Sequence, residues 1–339
     1  MLVYDLVDPQ ELVGFVRELT FDQFTLDDFL PNNNIDDIEY RFRRGRLTDQ
    51  EAATYRAWDA EARIAARQGT QRVTGELAPI SRKIRVGEEE RHRLRALETG
   101  NDDPIIDQIF ADAANMTRAV QARVELARGQ VLSTGSVTIE EDGFVADVDF
   151  GVPSTNFVTA STPHDDPEAD VIGEWTEWLE AYDEATDGEV PGVAVVSRKY
   201  VNNLLRNEGI RQLAATAVGG TPSLVTVDTV QQVFAAYGLP PMRTYDSRVR
   251  VGGTAVRPIP EDRVILLPGE GSVLGQTLFG VTAEALELAG EGFIEAEDAA
   301  GVVAVVEKTT DPVSTWTLAS GISVPVLANP ELLFVATAL

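Results

Sequence analysis

The sequence predicts an α+β fold that combines β-hairpins, one long helix and a separate α/β region. Three observations predict it. An apolar stripe with helical spacing runs through residues 105–128, strand-like segments with alternating polarity flank it on both sides, and helices alternate with strands between about 168 and 290. At 339 residues the chain is long enough for two domains, or for one domain with large excursions.

Composition excludes most kinds of catalytic and metal site. The chain has no cysteine, so disulfides, thiolate metal sites and cysteine nucleophiles are excluded, and His92 and His164 are its two histidines. Its net charge of −27 argues against a general nucleic-acid binder, because phosphate binding requires a basic face. No apolar stretch is long enough for a membrane helix, and the N-terminus has acidic residues where a signal peptide has basic ones.

The positive charge is concentrated in one segment. Residues 40–95 contain fourteen of the 28 basic residues and eight acidic ones, a net charge of +6, which leaves −33 for the rest of the chain. A basic segment on an acidic body predicts contact with the acidic surface of a neighbouring copy. A solvated arginine-rich loop is the ordinary alternative. A nucleic-acid arm is a third possibility, which the interspersed acids and scarce aromatic residues disfavour.

The first elements along the chain are a helix and a projecting hairpin. Residues 9–20 have helical spacing with Pro9 in the first turn, and they continue into an arm rich in turn formers. Residues 35–44 and 70–87 alternate as strands do. Between them lies a helix-prone tip that begins at Thr48 and ends at Gly69. This hairpin has too little apolar content to be stable alone, so it needs a neighbour.

The long helix follows, with Asp102 or Asp103 as its N-cap and Pro104 in its first turn. It is expected to end between Gly129 and Gly135. A strand hairpin over residues 136–150 comes next, and Asp142-Gly143 is its turn. The apolar stripe that we expect to form the core face of the helix comprises Ile106, Ile109, Phe110, Met116, Val120 and Val124.

The α/β region begins after a loop rich in Ser, Thr, Pro and Asp. The pattern predicts a helix from Val171 to Tyr182, a buried strand over 192–197, a continuous helix over 199–218 and a helix closed by Gly238. Strands are expected at 242–251, 263–267 and 277–281. The C-terminal tail from residue 301 again has strand character, and we expect it to complete a sheet begun by residues 136–150.

Motifs for a cofactor or an active site are weak. Gly269, Gly271 and Gly275 follow a predicted strand, but their spacing is typical of a turn and not of a phosphate-binding loop. His164 and the acids of the segment HDDPEAD could collect a divalent cation, although a proline-containing acidic loop is the simpler interpretation. We therefore predict no cofactor, no metal and no catalytic residue.

The order of these elements resembles the lambda-type major capsid protein E family of tailed double-stranded DNA phages, which has the Hong Kong 97-type capsid fold. The resemblance spans nearly all of the chain. The resemblance is found in the segments LTFDQFTLDDFLP, PISRKIRVGEEERHRLRALE, RGQVLSTGSVTIEEDGFVADVDFG, PEDRVILLPGEGSVLGQTLFGVT and VPVLANPELLFVATAL. It implies an N-terminal arm (1–37), an extended loop (38–88), a spine helix with a peripheral domain (89–165), an axial domain (166–290) and return strands of the peripheral domain (291–339).

The resemblance also implies a function. Proteins of this family assemble as hexamers and pentamers into an icosahedral head shell around packaged double-stranded DNA, in the host cytoplasm, without a membrane or sequence-specific DNA binding. The implied partners are other copies of the chain, a scaffold, a portal and a decoration protein. The expected intersubunit contacts of the extended loop are Arg41, Arg43, Arg44, Arg46, Arg82, Lys83 and Arg85.

Three other possibilities follow from the same residues. Some members of the fold form a lysine–asparagine crosslink, for which Lys83 and Asn329 are the available residues, whereas lambda-type relatives generally rely on decoration proteins. An encapsulin-like nanocompartment shell would share the fold. An acidic α/β enzyme with a basic lid is the alternative from another functional class, and assembly as opposed to monomeric behaviour would distinguish it.

Overall fold

The computed structural model describes residues 7–44, 71–97, 103–141, 143–218, 225–295 and 299–339. In the first half the elements are α1 (Pro9–Glu18), β1 (Asn32–Asn34), β2 (Glu39–Arg44), β3 (Gln71–Glu76), β4 (Ala78–Val86), α2 (Glu88–Leu97), α3 (Asp103–Thr134), β5 (Ser136–Glu141), β6 (Phe144–Asp149) and β7 (Phe157–Thr159). In the second half they are α4 (Val171–Thr186), β8 (Pro191–Val196), α5 (Arg198–Leu204), α6 (Glu208–Val218), α7 (Val227–Ala236), β9 (Met242–Thr244), β10 (Val249–Val251), β11 (Thr254–Val256), β12 (Arg263–Pro268), β13 (Gly275–Gly280), α8 (Ala283–Gly290), β14 (Val303–Thr310), β15 (Val313–Leu327) and β16 (Phe334–Thr337).

The first of the two large sheets is built around the 15-residue strand β15. Its N-terminal part pairs antiparallel with β14, and its C-terminal part pairs antiparallel with β13. Strand β4 pairs with residues 315–323 of β15, which overlap both partners, so β4 must lie along the opposite edge. Strand β1 extends the sheet by pairing parallel with β13.

The long helix α3 packs across this sheet. Over 32 residues at about 1.5 Å per residue it spans roughly 48 Å. Its side chains Ile109, Val120 and Val124 are buried against Ala304 and Ala319 of the sheet. Burying this stripe removes apolar surface from water, and that burial holds the helix to the sheet.

The second large sheet has the strand order β7-β16-β12-β8-β9 and lies in the α/β part of the chain. The sequences of β8 and β12 are nearly continuous apolar runs. Such runs are typical of strands whose side chains are buried on both faces of a sheet, as they are here. Trp175 and Tyr182 of α4 and Phe234 of α7 pack with Phe334 of β16 in its core.

The sheets differ from the sequence-based expectation in one important respect. Strands β5 and β6 pair with each other and with no other described strand, so the expectation that the C-terminal tail completes their sheet is wrong. The tail instead supplies β14 and β15 to the first sheet and β16 to the second. Strand β13 also belongs to the first sheet. Strand partners far apart in sequence leave no local signal, which explains the error.

Several predicted elements have different limits. Helix α3 ends at Thr134, within the interval expected for its end, but the predicted helix over 199–218 divides into α5 and α6, and residues 70–87 form two strands. The predicted strand over 242–251 is two short strands, β9 and β10. Helix α8 and the short strands β1 and β7 were not predicted. The predicted helical tip over 48–69 lies outside the described residues. Within the described ranges, no helix has both the length and the apolar character needed to span a bilayer.

Candidate assembly surface

The predicted extended loop begins as a two-stranded ribbon. Strands β2 and β3 pair antiparallel, with Glu39 opposite Glu76 and Arg44 opposite Gln71, and neither pairs with another described strand. The base of the ribbon is fixed to the body, because Tyr40 and Leu77 are buried in the core and the Leu77 N–H donates to the Ile38 carbonyl at 2.8 Å. A Cβ on Gly75 would overlap the Tyr40 ring, so glycine permits this cross-strand packing.

The loop contacts expected on β2 are only partly described. Arg41 is exposed and donates a hydrogen bond to Glu39 Oε2 at 2.8 Å. That hydrogen bond and the charge of Glu39 raise the pKa of Arg41. Arg43 and Arg44 lie in β2, where the structure describes their backbone and not their side chains. Arg46 lies outside the described residues.

The contacts expected on β4 fall on two faces of one strand. Lys83 and Arg85 share a face, and both lie over the ring of Trp316 on β15, with Nζ and Cζ at 4.9 and 5.8 Å from its centroid. Arg82 points to the opposite face, where it lines a groove beside α3. The described members of the predicted set therefore occupy three separate places.

The predicted core residues of α3 lie inside the subunit. Ile109, Met116, Val120 and Val124 are buried, and Ile106 and Phe110 are partly buried against the same cluster. Phe110 also makes an edge-to-face contact with Phe15 of α1, with ring centroids 5.1 Å apart. These side chains hold the helix in place and are not available to another protein.

A buried polar cluster on α3 was not anticipated. Glu125 and Arg128 form an ion pair of 3.2 Å with side-chain exposures of 0% and 3%. Glu125 Oε1 accepts hydrogen bonds from the Leu26 N–H at 3.0 Å and from the Tyr245 hydroxyl at 2.9 Å. Arg128 Nε donates to Thr277 Oγ1 at 2.9 Å. The cluster thus links α3 to Leu26 in the N-terminal segment and to Tyr245 and Thr277 in the second half of the chain.

Burial dominates the electrostatics of this cluster. It raises the pKa of Glu125, although the hydrogen bond from Leu26 and the charge of Arg128 oppose the change. Burial also raises the pKa of Tyr245. The sequence did contain a signal, since two charged residues three apart interrupt an otherwise apolar stripe, which is typical of a paired buried ion.

The second buried cluster involves His164, the histidine of the predicted acidic loop. Its Nε2 lies 2.9 Å from Glu174 Oε2, and its Nδ1 lies 2.7 Å from the Tyr200 hydroxyl. The Tyr200 hydroxyl also accepts a hydrogen bond from Trp175 Nε1 at 2.8 Å. A neutral ring protonated at Nε2 satisfies every one of these contacts, with Tyr200 donating to Nδ1. The ring stacks on Trp178 with centroids 5.4 Å apart.

The other weak candidates have ordinary roles. Both ring nitrogens of His164 are occupied by Tyr200 and Glu174, and no group of three or more metal-ligating side chains occurs among the described residues. The structure therefore gives no support to a cation site in the HDDPEAD loop. Gly271 occupies a turn between β12 and β13 with φ of +105°. The Asn329 amide donates to the Val273 carbonyl at 2.7 Å.

Comparison with known proteins decides the family. The family model described as phage major capsid protein E matches residues 20–338. The chain belongs to this family. It is a shell-forming structural protein of the virion of a tailed phage, which removes the acidic enzyme from consideration and favours a virus over a cellular nanocompartment. No curated protein matches the sequence.

Solved structures show that this capsid protein has the Hong Kong 97-type fold. A prophage protein of Escherichia coli CFT073, described as a capsid protein, is 15% identical, with a TM-score of 0.64 and coverage of 98% of this chain and 99% of that one. A phage-related protein of Bordetella bronchiseptica RB50 is 13% identical, with a TM-score of 0.59 and coverage of 97% and 96%. The mature capsid of bacteriophage PhiM1 is 10% identical, with a TM-score of 0.53 and coverage of 94% and 88%.

Proposed function

We propose that this capsid protein assembles into hexamers and pentamers of an icosahedral head shell, and that the basic hairpin sets the register between neighbouring subunits. The hairpin consists of β2, β3 and the residues between them. The observation that carries the proposal is the ribbon β2–β3, which pairs with neither large sheet and packs against the body at its base through Tyr40 and Leu77. A two-stranded ribbon is marginally stable alone, so a neighbouring subunit is its natural support.

Charge supports the same assignment. Residues 39–76, which make up the hairpin, contain eight basic and six acidic residues, a net charge of +2, and the rest of the chain has −29. An exposed acidic face is visible on α4, where Glu177, Glu180 and Asp183 point to solvent and no basic residue occurs in the helix. Opposite charges on hairpin and body steer subunits into one orientation more than they add affinity.

The finer division of the subunit follows the two large sheets. We assign the first sheet and α3 to the peripheral domain and the second sheet with α4–α7 to the axial domain that surrounds the capsomer centre. Strand β13 then belongs to the peripheral domain and β16 to the axial domain, which adjusts the boundaries expected from the sequence. The N-terminal arm (1–37) and the extended loop (38–88) keep their residues except for β1 and β4, which as strands of the first sheet belong to the peripheral domain.

The remaining partners follow from the proposed shell. Packaged double-stranded DNA lies inside without sequence-specific binding, and the net charge of −27 limits its adhesion to the protein. A scaffold and a portal take part in assembly in the host cytoplasm, and a decoration protein is the expected means of reinforcement.

Charge reversal tests the role of the hairpin. The variant with Arg41, Arg43, Arg44 and Arg46 all changed to Glu should remain folded by circular dichroism but form no closed shells in negative-stain microscopy and light scattering. A milder pair, R41E/R43E, has a matched control in R206E/R211E, which makes the same charge change at two exposed arginines near α5 and α6. Normal shells from the fourfold variant, or equal loss of shells in the matched control, would contradict the register role.

A further inference from the structure

A groove of about 900 Å³ runs along α3 on the side of Arg82. It is bounded by the first half of β4, the exposed side of α3, the β5–β6 hairpin and strand β10. Its charged lining consists of five arginines and one glutamate: Arg82, Arg118, Arg123, Arg248, Arg250 and Glu141. On a chain with a net charge of −27, this is a local concentration of positive charge.

The arginines of the groove differ in how far they are neutralised. Arg123 pairs with Glu141 at 2.8 Å, and the Arg118 guanidinium lies 5.2 Å from the centroid of the Phe21 ring. Arg82, Arg248 and Arg250 are exposed, and they take part in none of the ion pairs found among the described residues. The groove therefore presents positive charge that the described subunit does not balance.

The second feature of the groove is a strand edge. Residues 78–82 of β4 line it. Strand β4 pairs with β15 on one side, and no described strand pairs with its other side. Such an edge offers backbone N–H and C=O groups to an added strand. Nucleic acid has no equivalent of a peptide backbone for this pairing, so the edge favours a polypeptide occupant.

The apolar lining fits the same occupant. Ile80, Leu126 and Val249 contribute side chains to the groove between the arginines. A strand added along β4 would place alternate side chains on opposite faces. Acidic side chains on one face could then reach the arginines, while apolar side chains on the other contact this lining.

We propose that this groove is a docking site for an extended acidic segment of another protein, which pairs with the free edge of β4 and is held by the surrounding arginines. A second copy of this chain is a poorer occupant. Among the described residues, the exposed acidic runs at Glu88–Glu90 and Asp165–Glu168 lie in a helix and in a turn, and the exposed pair Glu140 and Glu141 lies in β5, which is already paired with β6.

Fluorescence anisotropy with the purified full-length protein tests the proposal. The probe is a labelled short peptide of alternating glutamate and valine, compared with a peptide of equal charge that alternates glutamate and proline. Proline lacks the N–H and cannot pair along a strand edge. The second peptide should therefore bind at least about tenfold more weakly than the first. The variant R118E/R250E should weaken binding of the first peptide by about tenfold or more.

The matched control R206E/R211E should bind the peptide within about twofold of the unaltered protein, and circular dichroism should show both variants folded. Equal binding of the two peptides would overturn strand pairing, and no binding of the glutamate–valine peptide would overturn the site. Tighter binding of duplex DNA with the same dependence on Arg118 and Arg250 would replace the peptide by phosphate. Dissociation of oligomers by R118E/R250E without added peptide would identify a second copy as the occupant.

Discussion

His164 and Glu174 are joined at 2.9 Å inside the second large sheet's core, and the opposite nitrogen of the imidazole is held by Tyr200 at 2.7 Å. Burial lowers the pKa of His164, although the hydrogen bond to Glu174 opposes the change. Burial alone would raise the pKa of Glu174, but hydrogen bonds from Ser161, His164 and Thr162 outweigh it and lower the pKa. Both shifts favour a neutral imidazole beside an ionised carboxylate.

We predict that this cluster makes the subunit sensitive to acid. A lowered pKa in the folded state means that His164 contributes stability above its unfolded value of 6.5, and this stability is lost as the pH falls below 6.5 towards the folded pKa. Glu174 acts in the same direction, but its window begins near its unfolded value of 4.5. Denaturant unfolding between about pH 7.5 and about pH 5.5 should therefore show a declining free energy of unfolding that reports mainly on His164.

The two histidines provide a test with an internal control. His164→Gln should cost about 2 kcal/mol at pH 7.5 and reduce the pH dependence above pH 5.5. His92→Gln changes an exposed residue of α2 and should leave both quantities as they are. A pH dependence that follows His92, or that is unchanged in H164Q, would assign the sensitivity to other groups.

The second prediction concerns the buried pair Glu125–Arg128. Arg128→Met should cost about 3–5 kcal/mol, because it leaves the Glu125 carboxylate buried without its ion-pair partner. Changing both residues, E125Q/R128M, should cost less than R128M alone. Thermal or denaturant unfolding of the single and double variants measures the coupling.

The same helix carries the control for this pair. Arg123 and Glu141 form an ion pair at 2.8 Å with exposures of 29% and 55%, so Arg123→Met should cost less than about 1 kcal/mol. Similar losses for R123M and R128M would show that burial of the Glu125–Arg128 pair has no special energetic role.

Asn207 explains why the helix predicted over residues 199–218 is broken. Its Oδ1 accepts from the Ile210 N–H at 3.0 Å at the start of α6, and its Nδ2 donates to the carbonyls of Pro167 and Ala169 at 3.1 and 2.8 Å. Asn207→Ala should therefore cost about 1–2 kcal/mol in unfolding experiments.

The exposed neighbour Asn202 in α5 is the comparison for this substitution. Asn202→Ala should change the free energy of unfolding by less than about 0.5 kcal/mol. Equal effects of N202A and N207A would mean that the hydrogen bonds of Asn207 do not maintain the break between the helices.

These residues show what the sequence could and could not predict. The stripe of α3, the β5–β6 hairpin and the buried strands β8 and β12 were predictable because their periodicity is local. The sheet to which each strand belongs was not, since β16 finds its partners β12 and β7 far away in the chain. His164 stood in an acidic loop, and its partner Tyr200, 36 residues away, left no sign in the loop itself.

The last prediction concerns Gly129, the first residue of the interval in which the sequence analysis places the end of the long helix. Helix α3 continues through it, and a Cβ there would lie 2.5 Å from backbone and side-chain atoms of Pro258. Gly129→Ala would normally gain stability from helix propensity, but the overlap with Pro258 should reverse the sign and cost about 1–3 kcal/mol.

Gly14 is the matched case, because it lies within α1 and a Cβ added there would have no neighbouring segment within 4 Å. Gly14→Ala should therefore stabilise the protein by about 0.5–1 kcal/mol. Denaturant unfolding of G14A and G129A compares the two directly, and stabilisation by both would show that α3 and the Pro258 segment can separate at little cost.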